Sequence, residues 1–183
     1  MIVGERVRLR AIEREDLPRY VRWLNTPEVR RGLALDVPLS LAEEERWYEG
    51  ILSAAADERP LAIDVRQGEG WLHIGGAGLM RIDRHARHAE VGIHIGDSQH
   101  WDQGLGTEAM RLILRHAFET LNLNRVFLRV YEDNPRAMRV YRKLGFKDEG
   151  RLRQDRFLEG KYWDTLLMGL LQPEWLASQK GRD

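Results

Sequence analysis

VYEDNPRAMRVYRKLGF, residues 130–146, is the stretch on which the reading of this chain turns. Its frame is V-x-x-x-N-x-x-A-x-x-x-Y-x-x-x-G-F. Asn134 suits a helix N-cap, because a side-chain oxygen there accepts an N–H of the first turn, and Pro135 suits the first helical position. Ala137, Tyr141 and Leu144 follow at spacings of four and three, which puts them on one face. Gly145 serves as the C-cap. The spacing predicts a helix over 135–144, entered from a strand over 125–130.

Upstream lies a second informative stretch, EVGIHI at 90–95 and WDQGLGTEA at 101–109. Gly104 and Gly106 stand directly before a long amphipathic pattern, in which Met110, Ile113, Leu114, Ala117, Phe118 and Leu121 share a face. Glycines at a helix N-terminus let a ligand approach free backbone N–H groups, and the helix dipole adds positive potential, so the loop can cradle a pyrophosphate. Gly104-x-Gly106-x-x-Ala109 also matches a dinucleotide-binding fingerprint, with Glu132 placed for a ribose. That motif, however, starts directly after its strand and belongs to a fold that alternates throughout. Here eight residues separate Ile95 from Gly104.

The remaining pattern completes the fold class. Apolar and charged residues alternate over 5–10, as in a half-buried strand. Leu17, Tyr20, Val21 and Leu24 recur at helical spacing. Ser40-Leu41-Ala42-Glu43 has the form of a capping box and opens a helix carrying Trp47, Ile51 and Leu52. Strands are expected at 61–65, 71–82 and 89–95, a helix at 107–121, and two closing strands at 147–157 and 162–171 with Gly160 at their turn. A strand, two helices, a run of strands, then helix, strand, helix and two strands describe an α+β (mixed α/β) sheet rather than a doubly wound one. No linker or repeat divides the 183 residues, so a single domain over 1–183 is expected.

Composition narrows the chemistry. Lys and Arg total 29, as do Asp and Glu, so no net charge draws the molecule to nucleic acid or anionic lipid. Cysteine is missing, which excludes disulfides, thiolate metal sites and a Cys nucleophile. No apolar run approaches the length of a spanning helix, and the first residues lack a signal-peptide core. The cytoplasm is the expected compartment.

Together the two stretches resemble the GNAT superfamily of N-acetyltransferases, and the resemblance covers nearly the whole chain. The Trp101–Ala109 form, WLNTPEV at 23–29, and the ending GKYWD at 160–164 with Met168 and PEW at 173–175 resemble its RimJ/RimL-type branch. The resemblance implies a central, mostly antiparallel sheet flanked by helices, with a splayed strand pair at the acetyl-CoA site. It implies acetyl-CoA as co-substrate, no metal, and cofactor contacts at Ile93, His94, Ile95, Trp101, Asp102, Gln103, Gly104, Leu105, Gly106, Thr107, Asn134, Ala137 and Tyr141. Many relatives carry Arg or Gln where Trp101 stands, which leaves phosphate binding here to backbone N–H groups.

Amine acetylation needs a neutral amine, a polarised thioester carbonyl and a proton for the departing thiolate. Tyr141 is the candidate donor and a backbone N–H at 93–95 the polarising group, both by resemblance. Glu90, entering the same strand, is the candidate general base. The expected acceptor is a small amine or a peptide or protein N-terminus, with no nucleic-acid or membrane partner and a homodimer left open. The competing class is a non-catalytic acyl-CoA-binding or sensing module. His85 and His88 read as a solvated turn, Gly75–Gly78 as a bulge or close strand approach, Glu108 as a helix-dipole partner, and the tryptophans mostly as core.

Overall fold

A computed structural model describes residues 1–33, 35 and 37–179. Its element order is β1 (Ile2–Val3), β2 (Val7–Ala11), α1 (Leu17–Leu24), α2 (Pro27–Arg30), α3 (Leu41–Ser53), β3 (Leu61–Gln67), β4 (Gly70–Asp83) and β5 (His88–Ile95). Then come α4 (Leu105–Arg115), β6 (Arg125–Tyr131), α5 (Pro135–Lys143), β7 (Lys147–Leu158), β8 (Lys161–Leu171) and α6 (Gln172–Gln179). The strands are ordered β1-β2-β3-β4-β5-β6-β8-β7; β1–β2, β2–β3, β3–β4, β6–β8 and β7–β8 pair antiparallel, and β5 pairs with β6 in parallel. This is the mixed α/β, mostly antiparallel sheet expected for a GNAT fold.

The chain forms two compact units: Met1–Met80 with Gly92–Ile113, and Arg81–Val91 with the segment from Leu114 onward. In the first unit, Val7 and Leu9 of β2 point inward, fully buried with Leu17 and Ile63. The alternate residues Arg8 and Arg10 share Asp64 Oδ2 at 2.8 and 2.9 Å. Arg10 also grips both oxygens of Asp16, at 2.7 and 2.9 Å. The far side of Asp16 meets His73 Nδ1 at 3.2 Å, and His73 Nε2 lies 2.9 Å from the Gly75 carbonyl oxygen.

Burial pushes the Asp16 carboxyl up, but the hydrogen bonds from Arg10, His73 and the Glu13 N–H outweigh it and hold the group below the ordinary carboxylate range. A depressed folded-state pKa means stability that is present above the unfolded value, about 3.9, and lost as the pH falls below it. Asp16→Asn should therefore destabilise the protein by about 2 kcal/mol at neutral pH, because half-buried Arg10 is left with Asp64 alone, which it shares with Arg8. The penalty should shrink as pH falls below 4, as read from urea midpoints at pH 7 and pH 3.

β4 carries one extra residue at Ile74: Ile63 pairs with Gly75, but Asp64 pairs with His73. The displaced Ile74 carbonyl collects the N–H groups of Gly96 and Asp97, at 2.8 and 3.2 Å. The glycine run thus marks both a bulge and a close approach. A Cβ at Gly75 would fall on the His94 carbonyl oxygen and 2.9 Å from Ile95 Cα.

In the second unit, Val126, Leu128 and Val130 of β6 are buried with Met168 and Leu170 of β8, and Phe118 stands tilted against Trp175 at 6.0 Å. The expected helix over 107–121 is interrupted: after Arg115 the chain widens by one residue, and Leu121 N–H reaches the His116 carbonyl at 3.0 Å. The parallel ladder between β5 and β6 has three pairs, His88 with Arg125, Ala89 with Val126 and Glu90 with Phe127. The pair is splayed.

Candidate active site

Ile93–Ile95 and Trp101–Thr107 belong to the first unit; Glu90, Asn134, Ala137 and Tyr141 belong to the second. In the first, the segment after β5 is held by a series of short-range hydrogen bonds. Asp97 caps a single turn by accepting from Gln99 N–H at 3.1 Å, and Gln103 Nε2 donates to the Gln99 carbonyl at 2.6 Å. Trp101 Nε1 donates to the Ile95 carbonyl at 2.8 Å, and its ring packs on the cluster around Tyr20 and Trp23. That contact explains the residue which replaces the more usual Arg or Gln: its side chain ties the loop to the end of β5.

Gly104 follows with φ +79°, a conformation that favours glycine, and its carbonyl takes the first helical bond, from Glu108 N–H at 3.0 Å. The N–H groups of Leu105, Gly106 and Thr107 precede that bond and have no partner within α4. Cβ atoms at Gly104 and Gly106 would meet nothing nearer than Arg6 Nη2 at 3.4 Å and Ile95 Cγ1 at 3.6 Å. Both neighbours are side-chain atoms at van der Waals distance, so no backbone crowds either glycine. Free donors at a helix N-terminus, beside two glycines, form a cradle that fits a pyrophosphate.

Arg6 is a residue the sequence reading missed. Its Nη1 donates to the Gln103 carbonyl at 3.1 Å and its Nε to Glu108 Oε2 at 3.1 Å, which brings a half-exposed guanidinium to the loop. Glu108 does more than favour a dipole, because its Oε1 accepts the N–H groups of Arg6 and Val7 at 2.7 and 3.2 Å. The signal was weak in sequence, since one Arg in a strand so rich in Arg has nothing to distinguish it.

Ile93, His94 and Ile95 are half-buried on β5. His94 presses its ring toward Tyr20, centroids 5.7 Å apart, and its Nε2 is buried without a partner. Burial, with a smaller contribution from His73, lowers its pKa to about 4, so the imidazole is neutral at physiological pH.

In the second unit, Asn134 caps α5 as expected: its Oδ1 accepts from Ala137 N–H at 3.1 Å, with Pro135 at the first helical position. Gly145 takes φ +96° after the helix, and Phe146 N–H returns to the Tyr141 carbonyl at 3.1 Å. Tyr141 is 8% exposed and stands edge-on to Phe146, and its hydroxyl has no hydrogen-bond partner among the described residues. Burial pushes the phenol up to about 12. It therefore holds its proton throughout the neutral range.

Glu90 is also 8% exposed and is paired with Arg81 and, at 3.8 Å, with Arg129. Both guanidiniums are substantially exposed, so the carboxylate meets its two cations at the protein surface. His85 and His88 flank a turn in which Asp83 Oδ1 accepts from the N–H groups of His85 and Ala86. Among the described residues no group of three or more His, Asp or Glu side chains could hold a metal ion. No helix among them is long and apolar enough to cross a membrane.

Comparison with known proteins agrees with these features. The acetyltransferase (GNAT) domain model matches residues 6–147. A spermidine N(1)-acetyltransferase from Escherichia coli (strain K12) is 34% identical over 175 residues, covering 95% of this chain and 90% of the relative. The crystal structure of a spermidine N-acetyltransferase from Vibrio cholerae in complex with CoA and spermine superposes with a TM-score of 0.85 at 29% identity. It covers 94% of this chain and 99% of that one. A dodecameric structure of a spermidine N-acetyltransferase from the same organism matches with a TM-score of 0.78 at 30% identity, over 96% and 99% of the two chains. With that domain model spanning the phosphate-cradle loop and the Asn134–Tyr141 helix, the chain belongs to the GNAT acetyltransferase family, and it is an N-acetyltransferase with acetyl-CoA as donor.

Proposed function

We propose that this enzyme acetylates a primary amine of a small, linear polyamine of the spermidine type, and that residues 1–183 act as one domain in doing so. The observation that carries the acceptor class is the 34% identity to a spermidine acetyltransferase across nearly the full length of both chains. The small-amine arm of the expectation is thereby favoured over a peptide or protein N-terminus. A RimJ/RimL-like branch assignment remains part of the proposal at the level of motif likeness. A cytoplasmic setting goes with it, and the dodecameric neighbour makes an assembly larger than a dimer the form to look for.

In this reading the N–H groups of Leu105, Gly106 and Thr107 hold the CoA pyrophosphate, with Arg6 adding charge beside them. The backbone of β5 at Ile93–Ile95 lies along the pantetheine, and an N–H there polarises the carbonyl. Acetyl-CoA supplies a thioester that a neutral amine can attack. Tyr141 gives its phenolic proton to the sulfur as the thiolate leaves, and Asn134 fixes the helix that carries it. Glu90 accepts the amine's proton, directly or through water, from its place between Arg81 and Arg129.

Thiol release from acetyl-CoA across polyamines, aminoglycosides, amino acids and short peptides tests the acceptor class. Turnover with spermidine or spermine, at a kcat/KM at least about tenfold above the other classes, is the expected result. A clear preference for peptides would sink the polyamine reading. Saturable acetyl-CoA binding with no transfer to any acceptor would return the choice to a sensing module. In the same assay Glu90→Gln should lower kcat by about 10²-fold, with little change in KM for acetyl-CoA. A Gln variant with the full rate would show that transfer needs no base at this position.

A further inference from the structure

Glu44 lies on α3, where helical spacing puts it on one face with Trp47, Tyr48 and Ile51. The residue is 5% exposed, yet among the described residues its carboxylate accepts no hydrogen bond and meets no cation. Its neighbours on the helix are otherwise engaged. Glu43 closes the capping box with Ser40 N–H at 2.8 Å, and Arg14 reaches Glu45 at 4.0 Å and Glu49. A buried carboxylate without a partner costs folding free energy. Burial accordingly pushes Glu44 above the ordinary carboxylate range.

The surroundings are aromatic. The Tyr20 ring stands 6.0 Å from Trp47, 5.8 Å from Trp23 and 5.7 Å from His94 on β5. The Tyr20 phenol is raised far above its usual value, first by burial, then by Asp16, with the charge of Glu44 adding to the effect. Helix α1, which carries Tyr20, packs against α3, which carries Glu44 and Trp47. Trp47 was expected in the core, but it is 39% exposed, so one side of the cluster is open to solvent.

We propose that Glu44, Tyr20 and Trp47 form an alkylammonium subsite that binds the non-reacting cation of a linear di- or triamine acceptor. A carboxylate supplies the counter-charge, aromatic faces attract the cation and cover its methylene stem, and burial strengthens both interactions. One carboxylate among rings offers a divalent metal too few oxygens. The reacting nitrogen has to lose its proton before it can attack, whereas a carboxylate in an apolar site stabilises the protonated form. The subsite therefore suits the nitrogen that does not react. This inference rests on the polyamine reading above, and it adds the residues that would choose a polyamine over a monoamine.

The test compares wild type, Glu44→Gln and Trp47→Leu with spermidine and with butylamine as acceptors. Calorimetric titration of spermidine into the enzyme saturated with CoA accompanies the kinetics. Both variants should raise KM for spermidine at least about tenfold, a loss of 1.4 kcal/mol, with kcat and KM for acetyl-CoA within about threefold. KM for butylamine should not move. Ligand-free Glu44→Gln should melt no lower than wild type, because it removes an unpartnered buried charge. A merely structural role predicts the reverse. Unchanged spermidine KM in both variants, or equal effects on spermidine and butylamine, would overturn the subsite. If wild type acetylates no amine, the polyamine reading fails, and calorimetry alone then judges the subsite. Spermidine binding weakened about tenfold by Glu44→Gln keeps it, and binding that is absent or unchanged removes it.

Discussion

Replacing Tyr141 by Phe should lower kcat by about 10- to 100-fold while KM for acetyl-CoA stays within about twofold. The change deletes one oxygen and keeps the ring, so the edge-on contact with Phe146 at 5.9 Å survives and the helix should be undisturbed. What is lost is a proton held in reserve. Burial raises the phenol to about 12, and for an acid a raised pKa means the protonated form persists to higher pH. Wild-type kcat should therefore show no fall from Tyr141 ionisation anywhere between pH 6 and 10. Stopped measurements of thiol release over that range, for both proteins, give the comparison. If kcat is untouched, Tyr141 is a packing residue and the thiolate takes its proton from water. If kcat and the melting temperature fall together, the role is structural.

The second large effect is expected at a position with no chemistry of its own. Gly75→Ala should destabilise the fold by about 3 kcal/mol, seen as a lower urea midpoint at unchanged slope. The new methyl group would fall on the His94 carbonyl oxygen, which is backbone and cannot rotate away. Relief requires β5 to shift at Ile93–Ile95, the segment proposed to lie along the pantetheine, so KM for acetyl-CoA should rise as well. Since residues 1–183 are proposed to act as one domain, tryptophan fluorescence and circular dichroism should report one coincident transition. Gly50→Ala is the control, because a Cβ there meets nothing within 4 Å. It should be neutral or slightly stabilising within helix α3. Equal midpoints for the Gly75 variant and the control would mean that the strands can separate without cost.

Features whose partners lie within a few residues of one another were legible in the sequence alone. The Asn134 cap reaches Ala137, the Ser40–Glu43 box closes on itself, and Gly104 and Gly145 take the left-handed conformations that a loop before a helix and a turn after one demand. Periodicity likewise put the right faces of β2 and α4 inward, because a strand or helix repeats its own geometry wherever it is placed. The family resemblance was legible too, since it rests on two such local frames in a fixed order.

Tertiary structure decided the rest, and the reason is distance along the chain. Arg10 finds Asp64 across 54 residues and Arg6 finds Gln103 across 97, so no spacing rule could have chosen them among so many arginines. The same holds for Glu90, whose partner Arg129 comes from β6. Glu44 shows it most plainly. In sequence it is the middle of three consecutive glutamates at the start of an amphipathic helix. Only the packing of α1 against α3 buries that one of the three, while Glu43 and Glu45 stay exposed. Local sequence sets which backbone shapes are affordable, while the partner of a buried charge is set by whichever side chains the folded sheet and helices carry to it.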